Sequence, residues 1–240
     1  MITSPHNEKL KTVRRLRARR HERDTLGLFV AEGEDLLAAA DAAGWEPLER
    51  FARAGSGLAG IEVDEAALRA VTDLASGTRT LAVYAERWAQ IEELSVRRCL
   101  YLHGVGDPGN VGSALRSAAA FGADAVVFGP GSADPFSPRA VRASMGAIFT
   151  VPVARATPAQ LPGTTVALDA RAPRTLEEVA RDLGPLAEIS LLVGAERDGL
   201  GQELLAACDH TARIPIATES LNAAVAAAVA LYELSRQTSP

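Results

Sequence analysis

Cysteine is almost absent from this 240-residue chain: Cys99 and Cys208 are its only two, far apart and in no C-x-x-C pair. That excludes a disulfide-stapled scaffold and leaves no zinc or dithiol redox motif, so both read as small core hydrophobes and no metal is expected. Aromatic residues make up 5%, yet 48% of the chain is hydrophobic, with 20 Gly and 13 Pro. This composition excludes a disordered or collagen-like polymer and permits a sizeable core. Long apolar runs are missing too. The longest, 223–232, is too short to cross a bilayer, and the N-terminus has no apolar stretch of the kind a signal peptide needs. The expectation is a cytoplasmic protein without a membrane partner. No internal repeat or low-complexity tract interrupts the sequence, and its length suits two domains, one medium and one small.

The chain also lacks positive charge overall, with a formal net charge of −5, which taken alone argues against a binder of nucleic acid. The distribution reverses that inference. Residues 1–24 hold eight Lys or Arg against three acids, a net +5, while the remaining 216 residues carry −10. Over 7–23, Leu10, Val13 and Leu16 recur at helical spacing among Arg14, Arg15, Arg17, Arg19 and Arg20, with no Gly or Pro between them. This predicts one amphipathic basic helix, either a solvated face or a polyanion contact. Its apolar face is three aliphatic side chains without an aromatic, a poor membrane anchor.

Beyond it, the pattern predicts a strand over 28–30, helices over 34–43 and 65–74, and a strand over 80–84, a small α/β unit within 1–90. A polar linker follows over 85–96. From 97 to 240 strands and helices alternate. Strands are expected at 98–103, 125–128, 148–151, 166–168, 190–193 and 212–214, and helices at 111–121, 138–145, 174–183, 201–208 and 221–236. Such alternation implies a mostly parallel sheet with helices on both faces.

Three turns, two of them glycine-bearing, lie at strand ends, where open α/β sheets bind ligands. Gly104-Val105-Gly106-Asp107-Pro108-Gly109 matches the dinucleotide fingerprint G-x-G-x-x-G. No acidic residue ends the next strand to hold a ribose, however, and Pro108 removes an N–H from the turn that would cradle a pyrophosphate. Gly194-Ala195-Glu196 with Gly199-Leu200 is the second turn. Ile214-Pro215-Ile216 with Ser220-Leu221-Asn222 is the third, where Ser220 or Asn222 suits the cap of an Ala-rich helix.

Together, these turns resemble those of the SpoU/TrmH-type RNA 2′-O-ribose methyltransferases of the SPOUT superfamily. Asp107-Pro108-Gly109-Asn110-Val111-Gly112 with Arg116 is similar to the family's first motif, the Gly194 and Ile214 turns to its second and third, and 138–147 to its middle segment. The resemblance implies a trefoil-knotted sheet, a homodimer, and S-adenosylmethionine held around Gly194, Ala195, Glu196, Gly199, Ile214, Ile216, Ser220 and Leu221. It also implies that Asn110, Arg116, Glu196 and Asn222 serve catalysis. A guanidinium is always protonated, so Arg116 is expected to orient a phosphate and stabilise a developing alkoxide rather than act as a base. The N-terminal unit is similar to a ribosomal-protein-like RNA-binding domain, with Arg14, Arg15, Arg17, Arg19, Arg20 and, from the middle segment, Arg142 facing RNA. Asp107, Ala195 and Ala224 depart from the family's usual residues, two of them losing a polar side chain. The implied activity is 2′-O-methylation of structured RNA, 23S rRNA before tRNA, with a non-catalytic RNA-binding assembly factor as the alternative.

Overall fold

In the computed structural model, which describes residues 1–72, 77–195 and 198–236, the spacing of three aliphatic residues fixes how the chain begins. Leu10, Val13 and Leu16 form the inner stripe of α1 (Glu8–Ala18) and are wholly buried, packing on Val30, Phe51, Val63, Leu68, Leu81 and Val83. The basic helix is not continuous over 7–23. Arg19 is extended at φ −131°, and α2 (Arg20–Leu26) starts afresh. The break lets Arg23 turn inward, where its guanidinium donates to the Leu16 carbonyl at 2.6 Å and pairs with Asp134 at 2.8 Å. There follow β1 (Leu28–Glu32), α3 (Glu34–Ala42), β2 (Glu49–Arg53), β3 (Ile61–Val63), α4 (Glu65–Arg69) and β4 (Thr80–Ala85). The four strands form one sheet in the order β1-β4-β2-β3.

The second sheet contains β5 (Arg98–Leu102), β6 (Ala125–Phe128), β7 (Val153–Arg155), β8 (Thr164–Leu168), β9 (Ile189–Val193) and β10 (His210–Ala212). Its order is β10-β8-β9-β5-β6-β7, and every pairing is parallel. Alternate residues of β5 divide between two cores. Leu100 and Leu102 face the side covered by α5 (Pro108–Ala120), α6 (Pro138–Ala143), α7 (Leu176–Leu183) and α9 (Ala223–Arg236). Cys99 and Tyr101 face the side covered by α8 (Gln202–Ala207) and by Ile91 and Val96. Burial pushes the Cys99 thiol up to about 12, so it packs as a small hydrophobe rather than reacting. No helix among the described residues is long and apolar enough to cross a membrane.

Several elements differ from the sequence expectations. The apolar stretch 148–151 is not a strand. Ala147–Phe149 forms a short 3-10 turn and β7 begins later, because Phe149 is drawn into an aromatic cluster with Phe29, Trp45 and Tyr84. Trp45 fixes the turn by donating its indole N–H to the Phe149 carbonyl at 2.9 Å. The segment 85–96 is docked rather than a free linker: Ala89 bridges Ala154, and Ile91 and Val96 are buried. The strand expected at 212–214 lies at His210–Ala212, and the helix expected over 65–74 spans Glu65–Arg69, with 73 and 74 outside the described residues. Strands β2 and β3 escape pattern reading because β2 places charges at Glu49, Arg50 and Arg53 and β3 is three residues long.

Candidate active site at the carboxyl edge

Since the six strands are parallel, the turns leaving β8, β9 and β10 emerge together on one edge of the sheet. They enclose a cavity of about 370 Å³, within the range of small-molecule sites. Gly194 and Ala195 come from the end of β9. The chain then doubles back, so that the Gly199 N–H donates to the Ala195 carbonyl at 3.0 Å. A Cβ on Gly194 would lie 2.3 Å from the Gly199 carbonyl carbon, so only glycine permits this close backbone approach. Gly199, Ile214, Ile216, Ser220 and Leu221 line the same cavity, giving it an apolar wall from the segment beyond β10. Thus seven of the eight residues assigned to the cofactor converge. Glu196 lies outside the described residues.

The sequence reading missed the contribution of β8. Leu168, Asp169 and Arg171 line the cavity from its carboxyl end, and Asp198 and Glu219 add two more carboxylates. A parallel neighbour of β9 must deliver its following turn to the same edge, so the topology is the signal for the β8 residues, whereas Asp198 and Glu219 lie inside the second and third motif turns. Apolar walls with the Asp198 and Glu219 carboxylates and an Asp169–Arg171 pair at 3.3 Å suit a flat heterocycle joined to a cationic centre and an amino-acid end bearing both an ammonium and a carboxylate, which describes S-adenosylmethionine.

The first motif meets the third beside this cavity. Asp107 caps α5 by accepting from the Asn110 N–H at 3.0 Å, and its other oxygen pairs with Arg139 at 3.0 Å. Gly112 lets α6 approach closely, since a Cβ there would lie 2.3 Å from the Ala140 carbonyl oxygen. The Asn222 side chain donates to the Asn110 Oδ1 at 3.0 Å, while its own oxygen accepts from the N–H groups of Ala224 and Val225. Asn222, rather than Ser220, therefore caps α9, and it sits between Leu221 and Ala223, which both line the cavity.

Arg116 is placed differently. It lies on the exposed surface of α5, about 9 Å along the helix axis from Asn110, and does not line the cavity of its own chain. Arg14, Arg15, Arg19 and Arg20 are exposed on the N-terminal helices, and Arg142 is partly exposed on α6. Arg17 turns inward, bonding to the Val71 carbonyl and pairing with Glu32 at 3.3 Å, so its charge is spent inside the fold. In the dinucleotide-like turn the Gly104 N–H is taken by the Pro130 carbonyl, Pro108 has none to give, and the Asn110 N–H that follows is taken by Asp107. Among the described residues no cluster of three or more His, Cys, Asp or Glu could hold a metal.

The family model of the SpoU rRNA methylases matches residues 97–232, the whole six-stranded unit with α9 as far as Tyr232. The chain belongs to the SpoU rRNA methylase family. Full-length relatives of this family resemble it throughout. It is 31% identical over 249 residues to the 23S rRNA (guanosine(2553)-2'-O)-methyltransferase RlmP of Bacillus subtilis, covering 97% of this chain and 98% of that one. The AdoMet-bound rRNA methyltransferase of Sinorhizobium meliloti superposes with a TM-score of 0.86 at 28% identity, covering 98% and 97% of the two chains. The SpoU methyltransferase AviRb of Streptomyces viridochromogenes, in complex with AdoMet, gives 0.85 at 26% identity over 97% and 98%. This SpoU family member is accordingly an RNA methyltransferase that uses S-adenosylmethionine.

The two roles of Asn222 can be separated. Asn222→Ala removes the cap of α9 and should lower stability by about 1 kcal/mol in urea unfolding. Asn222→Asp keeps the capping acceptor and should stay within about 0.5 kcal/mol of the parent, although its carboxylate cannot donate to Asn110.

Proposed function

We propose that this chain transfers the methyl group of S-adenosylmethionine to a ribose 2′-hydroxyl of 23S rRNA. The observation that carries this reading is the cavity built from the second and third motif turns, in a chain aligned end to end with a 23S rRNA 2′-O-methyltransferase. The cofactor supplies an electrophilic methyl group on a good leaving group, so the protein's part is alignment and the management of charge. Gly194, Ala195 and Gly199 provide backbone contacts. Ile214, Ile216 and Leu221 supply the apolar wall, with Ser220 a polar member of the same site and Asp198 and Glu219 the complement to positive charge, Asp169 being paired with Arg171.

Asn110 and Asn222, joined to each other, fix the loops of the first and third motifs relative to one another. Arg116 orients a phosphate and stabilises the alkoxide that forms as the 2′-hydroxyl loses its proton; as a permanent cation it does not take that proton. Glu196 belongs to this site by its place in the second motif. The exposed arginines of α1 and α2, together with Arg142, hold the RNA backbone, a contact that positions without reading sequence. The strand order, with β9 between β8 and β5, accommodates the threaded path that the family resemblance implies.

The chain acts as a homodimer in this account. Val225, Val229 and Tyr232 recur at i, i+4 and i+7 on α9 and are 40–50% exposed, an apolar stripe that Phe121 of α5 extends. A second copy packed on this stripe would lie beside the helix that carries Arg116.

Two experiments test these proposals. Mapping 2′-O-methylation across rRNA and tRNA incubated with the protein should show one new site in 23S rRNA. Gly194→Ala should abolish both this signal and calorimetric S-adenosylmethionine binding, whereas modification confined to tRNA would contradict the substrate assignment. By light scattering, the parent should have the mass of a dimer and Val229→Arg that of a monomer; equal masses would remove α9 from the interface.

A further inference from the structure

A second depression, of about 560 Å³, opens on the same carboxyl edge as the cofactor cavity, over the ends of β6 and β7. Three strand spacings separate the middle of the β8–β9 pair from the middle of the β6–β7 pair, so at about 4.8 Å per strand the two sites lie roughly 14 Å apart, the span of a few nucleotides. The catalytic roles above make no use of it.

Its chemistry differs from that of the cofactor cavity. Trp88 and Phe128 form its aromatic part, and the Arg155 guanidinium lies 4.0 Å over the Trp88 ring. Trp88 is held in place by Phe136, edge-on at 5.1 Å, and by its indole N–H, which donates to Glu86 at 2.8 Å. Arg155 is 52% exposed and its ion pair is with Asp24 at 3.5 Å. Arg20, 56% exposed, shares the same aspartate at 3.4 Å. Asp134, the one carboxylate among the lining residues, is buried and committed to Arg23. The exposed cations of the lining are therefore Arg20 and Arg155, which share Asp24 from outside it, while the half-buried Glu86 is engaged by the Trp88 indole. An anion carrying a flat ring fits that arrangement. Exposed arginine planes and aromatic faces are what unpaired RNA bases stack on, and a nearby cation meets the phosphate.

We propose that this depression receives an unpaired nucleotide of the RNA substrate close to the methylated one, its base stacked on the outer face of the Arg155 guanidinium, which itself lies over Trp88, and its phosphate facing Arg20. The inference rests on the RNA methyltransferase reading and extends it by naming a substrate subsite. Bound there, the nucleotide fixes the register of the RNA on the sheet edge. Stacking without base-edge hydrogen bonds makes the subsite tolerant of base identity, so specificity for an unpaired nucleotide comes from the requirement that the base be splayed out.

The test uses the full chain, a 23S rRNA transcript and a ten-nucleotide single-stranded oligoribonucleotide. Trp88 and Trp45 are the two tryptophans, and Trp45 is buried, so quenching of indole fluorescence by the oligonucleotide reports on Trp88. The parent should be quenched and Trp88→Phe should not. Because Trp88 also packs against the core and Arg20 already serves the RNA backbone, the kinetic test uses the exposed Arg155→Ala. This variant should raise KM for the transcript about 5- to 100-fold, as expected for loss of one stacked base, and leave the Kd for S-adenosylmethionine unchanged. A parent enzyme that methylates the transcript overturns the subsite alone if Arg155→Ala keeps the parent KM or if the parent shows no quench. A parent that binds S-adenosylmethionine but methylates no RNA overturns the functional reading, and the subsite with it.

Discussion

The parallel direction of all six strands in the larger sheet is the constraint on which the rest of this molecule depends. Each strand must be followed by a crossover, and each crossover leaves from the same edge. The turns after β5, β8, β9 and β10, scattered over more than a hundred residues of sequence, are thereby delivered to one rim. An antiparallel neighbour at the position of β8 would carry Leu168 and Asp169 to the opposite edge and leave the cavity without one wall. Strand order matters equally. Because β9 lies between β8 and β5, its Gly194 turn is flanked by the segment after β8 on one side and by the first motif on the other.

A second set of contacts fixes the basic N-terminal unit against this sheet. Phe29, Trp45 and Tyr84 from the smaller unit interleave with Phe136 and Phe149 from the larger, Phe29 and Phe136 at 4.8 Å. The Arg23–Asp134 pair, with both side chains about 95% buried, crosses the same boundary. Removing one partner of such a pair leaves an uncompensated buried charge, typically a loss of about 3–5 kcal/mol, so the pair fixes orientation strongly whatever its net contribution. The exposed arginines of α1 and α2 are consequently held in a constant relation to the carboxyl edge, and the same unit brings Arg20 to the rim of the second depression.

Much of this was legible in the sequence where one physical cause dominates. Strand β6 falls on the expected residues because Ala125 to Phe128 is a short apolar run closed by glycine. The burial of Leu10, Val13 and Leu16 follows from their spacing. What stayed illegible depends on contacts distant in sequence. The break at Arg19 exists for Asp134, more than a hundred residues away, and the turn at 147–149 exists for Trp45. The Gly194 and Ile214 turns announced the cavity, whereas Leu168, Asp169 and Arg171 needed the sheet order. Neither did the sequence distinguish Arg17, turned into the fold, from its exposed neighbours. Arg116, assigned by resemblance to chemistry, lies outside the cavity of its own chain, which is why the dimer is part of the account rather than an addition to it.

The central claim is that the turns after β9 and β10, and not the dinucleotide-like turn after β5, hold the cofactor. Hydrogen–deuterium exchange with and without S-adenosylmethionine separates the two. Exchange should slow at 198–201 and 214–222, with 104–109 unchanged. Slowing confined to 104–109, with the other two segments unaffected, would contradict it.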